Sequence, residues 1–364
     1  MSEEQTTSEE YAEWEPTLTA IVAEGGSTLI MGGTDVGKTT FARLLTNRLI
    51  ASGRRVGVVD ADLGQSEIGP PCCIGMAVAD THVLSLSDLT PRSLAFVGAT
   101  SPPGYLIEHA IGVRRMADLA APHPLVVDTS GFITGATARR LGQSEFELLQ
   151  PEHLVALQRG DELEAMLAPL RRRSNCHLHT PPIPAVIGKK PAAFRIQRRA
   201  MRFAAYFQEA AMHTYPLSEI TIVGSWLGNG VAVAPHLLRF LDQCLGPNVR
   251  VYYAEQLDRH LGLMVSREIP VSAASVGVAQ QELRAKSVSI TVAPRLKHLL
   301  VGLEGASGKL LGLGLLEAMD FRRGTLGVLT PVRAPAAARV LRLGGARITP
   351  EGTEVGALRP GEVQ

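Results

Sequence analysis

The sequence predicts an α/β fold: a mainly parallel sheet flanked by helices, followed by a smaller, mostly β C-terminal domain. Three observations predict it. Residues 32–39 read Gly-Gly-Thr-Asp-Val-Gly-Lys-Thr and satisfy every fixed position of the phosphate-loop pattern G-x-x-x-x-G-K-[ST]. From residue 27 to about 225, short apolar runs alternate with helical stretches, as strands joined by crossover helices require. After about residue 236 the texture changes to strand-like runs parted by turn sequences.

Taken in order, Ser27-Thr28-Leu29-Ile30-Met31 is a buried strand leading into the loop. Phe41, Leu44, Leu45 and Leu49 then recur at helical spacing, so the loop ends on a helix N-terminus whose dipole favours anions. Further strands are expected at Val56-Gly57-Val58-Val59, Leu94-Ala95-Phe96-Val97, Leu125-Val126-Val127, Leu154-Val155-Ala156-Leu157 and Ile220-Thr221-Ile222-Val223. Helices are expected near 39–52, 106–120, 161–173 and 192–213. In the second part, 299–302, 310–316 and 326–330 are strands, separated by Ala306-Ser307-Gly308 and Arg323-Gly324-Thr325. The expected division is a disordered acidic tail at 1–12, a P-loop domain at 13–235, the β domain at 236–350 and a flexible tail at 351–364.

The 364 residues suffice for two domains, and 45% hydrophobic with 20% charged residues is ordinary globular composition. A net charge of +1 neither demands nor excludes a nucleic-acid partner. Four cysteines, with Cys72 and Cys73 adjacent, form no disulfide framework and suit a reducing cytosol. No apolar run of membrane-spanning length and no signal peptide are present, and residues 1–37 carry no Lys or Arg. The expectation is a cytoplasmic protein with no membrane partner.

Gly32, Gly33, Thr34, Asp35, Val36, Gly37, Lys38, Thr39 and Thr40 are the candidate nucleotide-binding set. Backbone N–H groups of such a loop curl around phosphate oxygens, the lysine meets the terminal phosphates, and the Thr39 hydroxyl is placed to ligate Mg²⁺. Downstream, Asp60 and Asp62 stand at a strand end. A carboxylate there holds a metal shell or takes a proton from an attacking hydroxyl, and an extended chain puts residues two apart on the same side. The alternative is an acidic pair capping a strand–turn junction.

Between Arg171 and Arg202 the sequence holds Arg171, Arg172, Arg173, Lys189, Lys190, Arg195, Arg198, Arg199 and Arg202, with no Asp or Glu. Single-sign clustering is the pattern of a phosphate-binding surface, and it makes Arg198 and Arg202 candidates for contact with an acceptor strand. Cys176-His177-Leu178-His179 lacks the separated second ligand pair of a zinc site and reads as strand-end side chains. Trp14 either flanks a nucleotide base or anchors the N-terminal segment.

The loop GGTDVGKTT followed by D-x-D-x-G-Q at Asp60–Gln65 resembles the polynucleotide 5′-hydroxyl kinase family. That family contains the RNA kinase of the eukaryotic pre-mRNA cleavage complex and its ribosomal-RNA-processing and archaeal relatives. Phe96–Pro102 is similar to its segment before the substrate clasp, Val127–Phe132 to its T-x-G-W strand end, and Arg195–Arg202 to its R-x-x-x-R lid. The resemblance spans about residues 13–350 and implies a P-loop NTPase fold using ATP or GTP with Mg²⁺. It implies that Lys38 contacts the β- and γ-phosphates and that Thr39 ligates Mg²⁺. Asp62 would activate the 5′-hydroxyl and join the metal shell, with Gln65 beside it. Arg195 and Arg199 would be lid arginines that neutralise charge on the transferred group.

Thr100 and Ser101 occupy the clasp, without the usual asparagine after the threonine, and Phe132 stands where the family has a base-stacking tryptophan. A phenyl ring stacks bases without regard to sequence. The implied acceptor is a single-stranded 5′-hydroxyl end of RNA, with DNA as a second acceptor. The rival readings are a nucleotide-hydrolysing switch or maturation factor on the same scaffold, and a scaffold that binds nucleotide without turning it over.

Overall fold

The structure, a computed structural model, describes residues 10–246, 248–268, 273–359 and 362. The chain divides into two compact units, residues 1–199 and 200–364. In the first unit the strands are β1 (Ser27–Gly32), β2 (Val56–Asp60), β3 (Cys73–Ala79), β4 (Ser93–Phe96), β5 (Leu125–Asp128), β6 (His153–Leu157) and β7 (His177–His179). They form one sheet in the order β4-β3-β2-β5-β1-β6-β7. β2, β5, β1, β6 and β7 run parallel, and β3 and β4 add antiparallel pairings at one side.

The helices are α1 (Glu15–Glu24), α2 (Lys38–Ala51), α3 (Leu106–Ala120), α4 (Gly135–Leu149), the short α5 (Glu164–Leu167) and α6 (Ala192–Phe207). Along β1, Leu29 and Met31 enter one buried cluster and Ile30 the other. Both faces of the sheet are therefore covered, which is why its strands read as continuous apolar runs. The division between the units falls within α6.

Several expectations are corrected. The helix expected over 161–173 breaks after Leu167, because Pro169 has no N–H to continue it, and resumes only as a 3-10 turn at Leu170–Arg172. The helix expected to reach 213 ends at Phe207, since Ala211–Pro216 forms β8 and pairs with a strand of the second unit. The run at 220–223 also belongs there, as β9 (Thr221–Val223). Residues 211–223 thus lie in the second unit, which starts at Ala200.

β3 went unpredicted because it is small, apolar and buried, with no alternation to reveal it. Its Gly75 is required: a Cβ there would lie 1.8 Å from the Ile68 carbonyl oxygen.

The second unit is mostly β. A four-stranded sheet of β10 (Val231–Ala232), β11 (Val251–Leu257), β12 (His260–Val265) and β13 (Ser287–Val292) carries α7 (Pro235–Leu245) and α8 (Ala273–Glu282). A larger sheet joins β8 and β9 to β14 (Leu299–Gly305), β15 (Leu310–Asp320), β16 (Thr325–Thr330), β17 (Ala338–Ile348) and β18 (Glu354–Ala357).

Part of the segment expected to be a flexible tail is thus ordered, since β18 pairs with β17. Residues 360, 361, 363 and 364 lie outside the described residues, as do residues 1–9 of the expected acidic tail. Tyr11 already stacks on Trp14, with ring centroids 5.4 Å apart. Among the described residues no helix is long and apolar enough to cross a membrane.

Candidate nucleotide and acceptor site

The phosphate loop turns out of β1 into α2. Gly32 is needed for close approach, since a Cβ would meet the Leu157 carbonyl oxygen and Val36 at 2.6 Å. Gly37 adopts φ +90, in the left-handed region that glycine tolerates, and is backed by Trp14, 2.8 Å from where a Cβ would stand. Trp14 is fully buried, packs edge-on against Phe41 at 5.2 Å and donates Nε1–H to the Pro182 carbonyl at 2.9 Å. Of the two roles open to it, the structure gives it the anchoring one, behind the loop.

Lys38 folds back over the loop, its Nζ donating to the Gly33 carbonyl at 2.8 Å. Thr39 Oγ1 donates to Asp128 Oδ2 at 2.6 Å. Asp128 ends β5, the neighbour of β1, and its Oδ1 is buried without a hydrogen-bond partner among the described residues. Burial raises its carboxyl to about 7, while Lys38 and the Thr39 hydrogen bond pull it down.

A hard cation fits these oxygens. Mg²⁺ takes one or two carboxylates and keeps water and phosphate oxygens for its other positions, so it needs no dense protein cluster. Among the described residues no group of three or more His, Cys, Asp or Glu side chains is placed to hold a metal on its own. Asp128 was not anticipated as a site residue, because its place beside the loop depends on β5 pairing with β1.

The two candidate carboxylates part company. Asp60 is buried and caps the following turn: Oδ1 accepts from the Asp62 N–H at 3.0 Å, and Oδ2 from the N–H groups of Glu67 and Ile68. Burial first, and Asp128 second, push its carboxyl up to about 8 against the pull of those backbone bonds. The expectation that both carboxylates face the phosphates fails because the chain stops being extended at Asp60. Asp62 alone turns to the cavity, its Oδ1 accepting from the N–H groups of Gly64 and Gln65 at 2.9 Å.

That cavity measures about 410 Å³ and is lined by Lys38, Thr39, Asp62, Gln65, Arg195 and Arg198 among others. Arg43 and Lys190 also line it and were missed as individual site residues. Arg43 shares the α2 face of Thr39, a signal available in the helical spacing. A larger groove of about 1220 Å³ between α3 and α4 contains no phosphate-loop residue, so size does not mark the site.

Two arginines of the basic stretch are tied to carboxylates from elsewhere. Arg195 Nη1 donates to Asp35 Oδ2 at 2.9 Å and Arg198 Nη2 to Glu67 Oε1 at 2.7 Å. Arg171 and Arg173 pair with Glu164 and Glu147. The basic stretch is thus of one sign only along the chain; in space it is mixed. Gln65 Nε2 donates to the Arg195 carbonyl at 3.1 Å and Arg199 Nη1 to the Gly64 carbonyl at 3.3 Å, so the Asp62 turn touches α6 at both residues.

Thr100, Ser101 and Phe132 stand outside the lining of the cavity. The Thr100 carbonyl oxygen nevertheless lies 3.0 Å from where a Cβ on Gly64 would be, and Gly131 packs on Thr34. Arg202 falls in the second unit. His177 and His179 cluster with His153 and Glu24 at the strand starts, as strand-end side chains.

Comparison with known proteins places this geometry. Residues 32–209 match the family described as mRNA cleavage and polyadenylation factor CLP1 P-loop. A polyribonucleotide 5′-hydroxyl-kinase of Thermococcus kodakarensis is 30% identical over 341 residues, 92% of this chain and 92% of that protein. One of Pyrococcus horikoshii is 29% identical, over 91% of this chain and 88% of its own. A polynucleotide 5′-hydroxyl-kinase of Gibberella zeae is 26% identical over 88% of this chain and 49% of its own length. The fold is that of wild-type Clp1p solved in complex with Pcf11p, with a TM-score of 0.56 at 14% identity over 91% of this chain and 77% of that one. With a relative of that identity matched almost end to end, the chain belongs to the polynucleotide 5′-hydroxyl kinase family.

Proposed function

We propose that this chain transfers the γ-phosphate of ATP or GTP, with Mg²⁺, to the 5′-hydroxyl end of an RNA presented as a single strand. One observation carries the reading: Lys38, Thr39, Asp62 and Arg195 line a single cavity. The relatives named as polyribonucleotide 5′-hydroxyl-kinases support RNA as the acceptor. Free cysteines at 72, 73, 176 and 244 support a cytoplasmic setting.

Each residue then has a task. The loop N–H groups and Lys38 seat the triphosphate at the start of α2. Thr39 and Asp128, with Asp62 nearby, would hold the metal ion, which would supply positive charge against the phosphate oxygens. The 5′-hydroxyl oxygen attacks the γ-phosphorus, its proton passes to the Asp62 carboxylate, and the bond to the β-phosphate oxygen breaks to release the diphosphate. Arg195 and Arg199 neutralise charge on the group in flight once Asp35 releases Arg195. The experiment is transfer of labelled γ-phosphate to 5′-hydroxyl oligoribonucleotides and oligodeoxyribonucleotides of matched sequence. Label on RNA ends supports the reading; hydrolysis without label on any end favours the switch.

A further inference from the structure

Beneath the Asp62 turn, two helices bring together a histidine and a carboxyl that no step above uses. His109 projects from α3 and Glu145 from α4, with 0% and 3% of their surface exposed. Oε1 of Glu145 lies 3.3 Å from Nδ1 of His109, and both atoms are buried without a hydrogen-bond partner among the described residues. On the other side of the ring, Nε2 lies 3.1 Å from the carbonyl oxygen of Ala61.

A carbonyl only accepts, so Nε2 carries the proton. A neutral ring then presents Nδ1 as an acceptor facing the Glu145 carboxyl, which can donate to it only as the protonated acid. Burial favours this neutral pair, raising Glu145 to about 8 and lowering His109 to about 4.

Ala61 sits between the two site carboxylates. Its C=O and the N–H of Asp62 belong to one planar peptide unit. His109 holds that plane at the oxygen, and Asp60 Oδ1 holds it at the nitrogen at 3.0 Å. The preceding peptide is held too, with Ala61 N–H donating to the Asp128 carbonyl at 2.8 Å. With these bonds made, the direction in which the Asp62 side chain leaves the backbone is fixed. Without the histidine, the plane is free to turn at its carbonyl end.

We propose that Glu145 and His109 are positioning residues for phosphoryl transfer: Glu145 fixes the His109 tautomer, and His109 holds the Ala61–Asp62 peptide so that the Asp62 carboxylate faces the nucleotide cavity. The proposal rests on the kinase reading for the role of Asp62. A misplacement of ~1 Å at a reacting group costs on the order of a hundredfold in rate.

The test compares H109F, which cannot donate, with H109Q, whose amide can still reach the Ala61 oxygen. H109F should lower kcat roughly ten- to a hundredfold, with KM for the nucleoside triphosphate within about twofold of the unmodified enzyme. H109Q should transfer at least about fivefold faster than H109F. A merely structural histidine predicts lower melting temperatures for both and unchanged kcat for the folded protein, which overturns the proposal. If H109F does not fold, E145L set against E145Q makes the same comparison, since only the glutamine can donate to Nδ1. If the unmodified chain labels no 5′-hydroxyl end, the kinase reading falls by itself. Crystal structures of the unmodified protein and H109F then decide: a turned Ala61–Asp62 peptide supports the positioning role, and an unmoved one overturns it.

Discussion

Thr39 donates its hydroxyl hydrogen to one oxygen of Asp128 at 2.6 Å, while the other oxygen of that carboxylate is buried without a hydrogen-bond partner among the described residues. A buried carboxylate oxygen left unpaired is costly unless something else supplies the missing positive charge. In this loop a magnesium ion with its phosphates would do so. Asp128→Ala should therefore cut transfer at least about a hundredfold and raise the Mg²⁺ concentration needed for half-maximal rate. A magnesium titration on both proteins checks this, and superimposable curves would count against a metal at Asp128.

Asp62 and Asp60 should separate under mutation. Asp62→Asn should abolish most transfer while leaving nucleotide affinity nearly intact, because a base acts on the acceptor. Asp60→Asn should instead lower the melting temperature, since it weakens the acceptor of at least three backbone N–H groups in the 60–68 turn. Transfer at full rate by Asp62→Asn would remove it from the mechanism.

The contrast between these two aspartates shows how far the sequence reaches. The loop, its helix and the central strands were legible because each is a local pattern: glycines at fixed spacing, apolar period, a carboxylate at a strand end. The fate of Asp60 was not legible, because it depends on the chain bending at Ala61 rather than continuing as a strand. Asp128 stood in view at the end of Leu125-Val126-Val127, yet only strand order puts it beside Thr39. The charge run from Arg171 to Arg202 misled for the same reason: Asp35, Glu67, Glu147 and Glu164 are distant in sequence and adjacent in space. Likewise, Ala211–Pro216 became a strand because β16 was there to pair with it.

The acceptor side can be separated from the nucleotide side. Phe132 lies outside the nucleotide cavity, so Phe132→Ala should raise KM for the oligonucleotide and leave that for the nucleotide within about twofold. Arg195→Ala and Arg199→Ala should lower the transfer rate more than acceptor affinity, as lid arginines act in the transition state. Oligonucleotide binding should weaken steeply with added salt. Equal damage to both substrates in Phe132→Ala, or a flat salt response, would contradict the assignment.

The buried pair gives stability a dependence on pH whose sign follows from burial. Glu145 is raised from 4.5 to about 8 in the fold, so across that range the folded protein keeps a proton that the unfolded chain has released. Stability from this group is complete below the unfolded value and is lost as pH climbs through the folded one. His109, lowered from 6.5 to about 4, acts in the opposite sense, but its contribution is complete above about 6.5. Between pH 6.5 and 8, Glu145 alone of the pair drives a loss, of up to about 1.4 kcal/mol per pH unit. Asp60 and Asp128, raised to about 8 and about 7, add losses of the same sign, so the absolute curve does not isolate the pair. The difference between proteins does: Glu145→Gln cannot ionise and should lose less stability than the unmodified chain over this window. Chemical denaturation at closely spaced pH values measures it, and parallel curves for the two proteins would mean that Glu145 is already ionised in the fold.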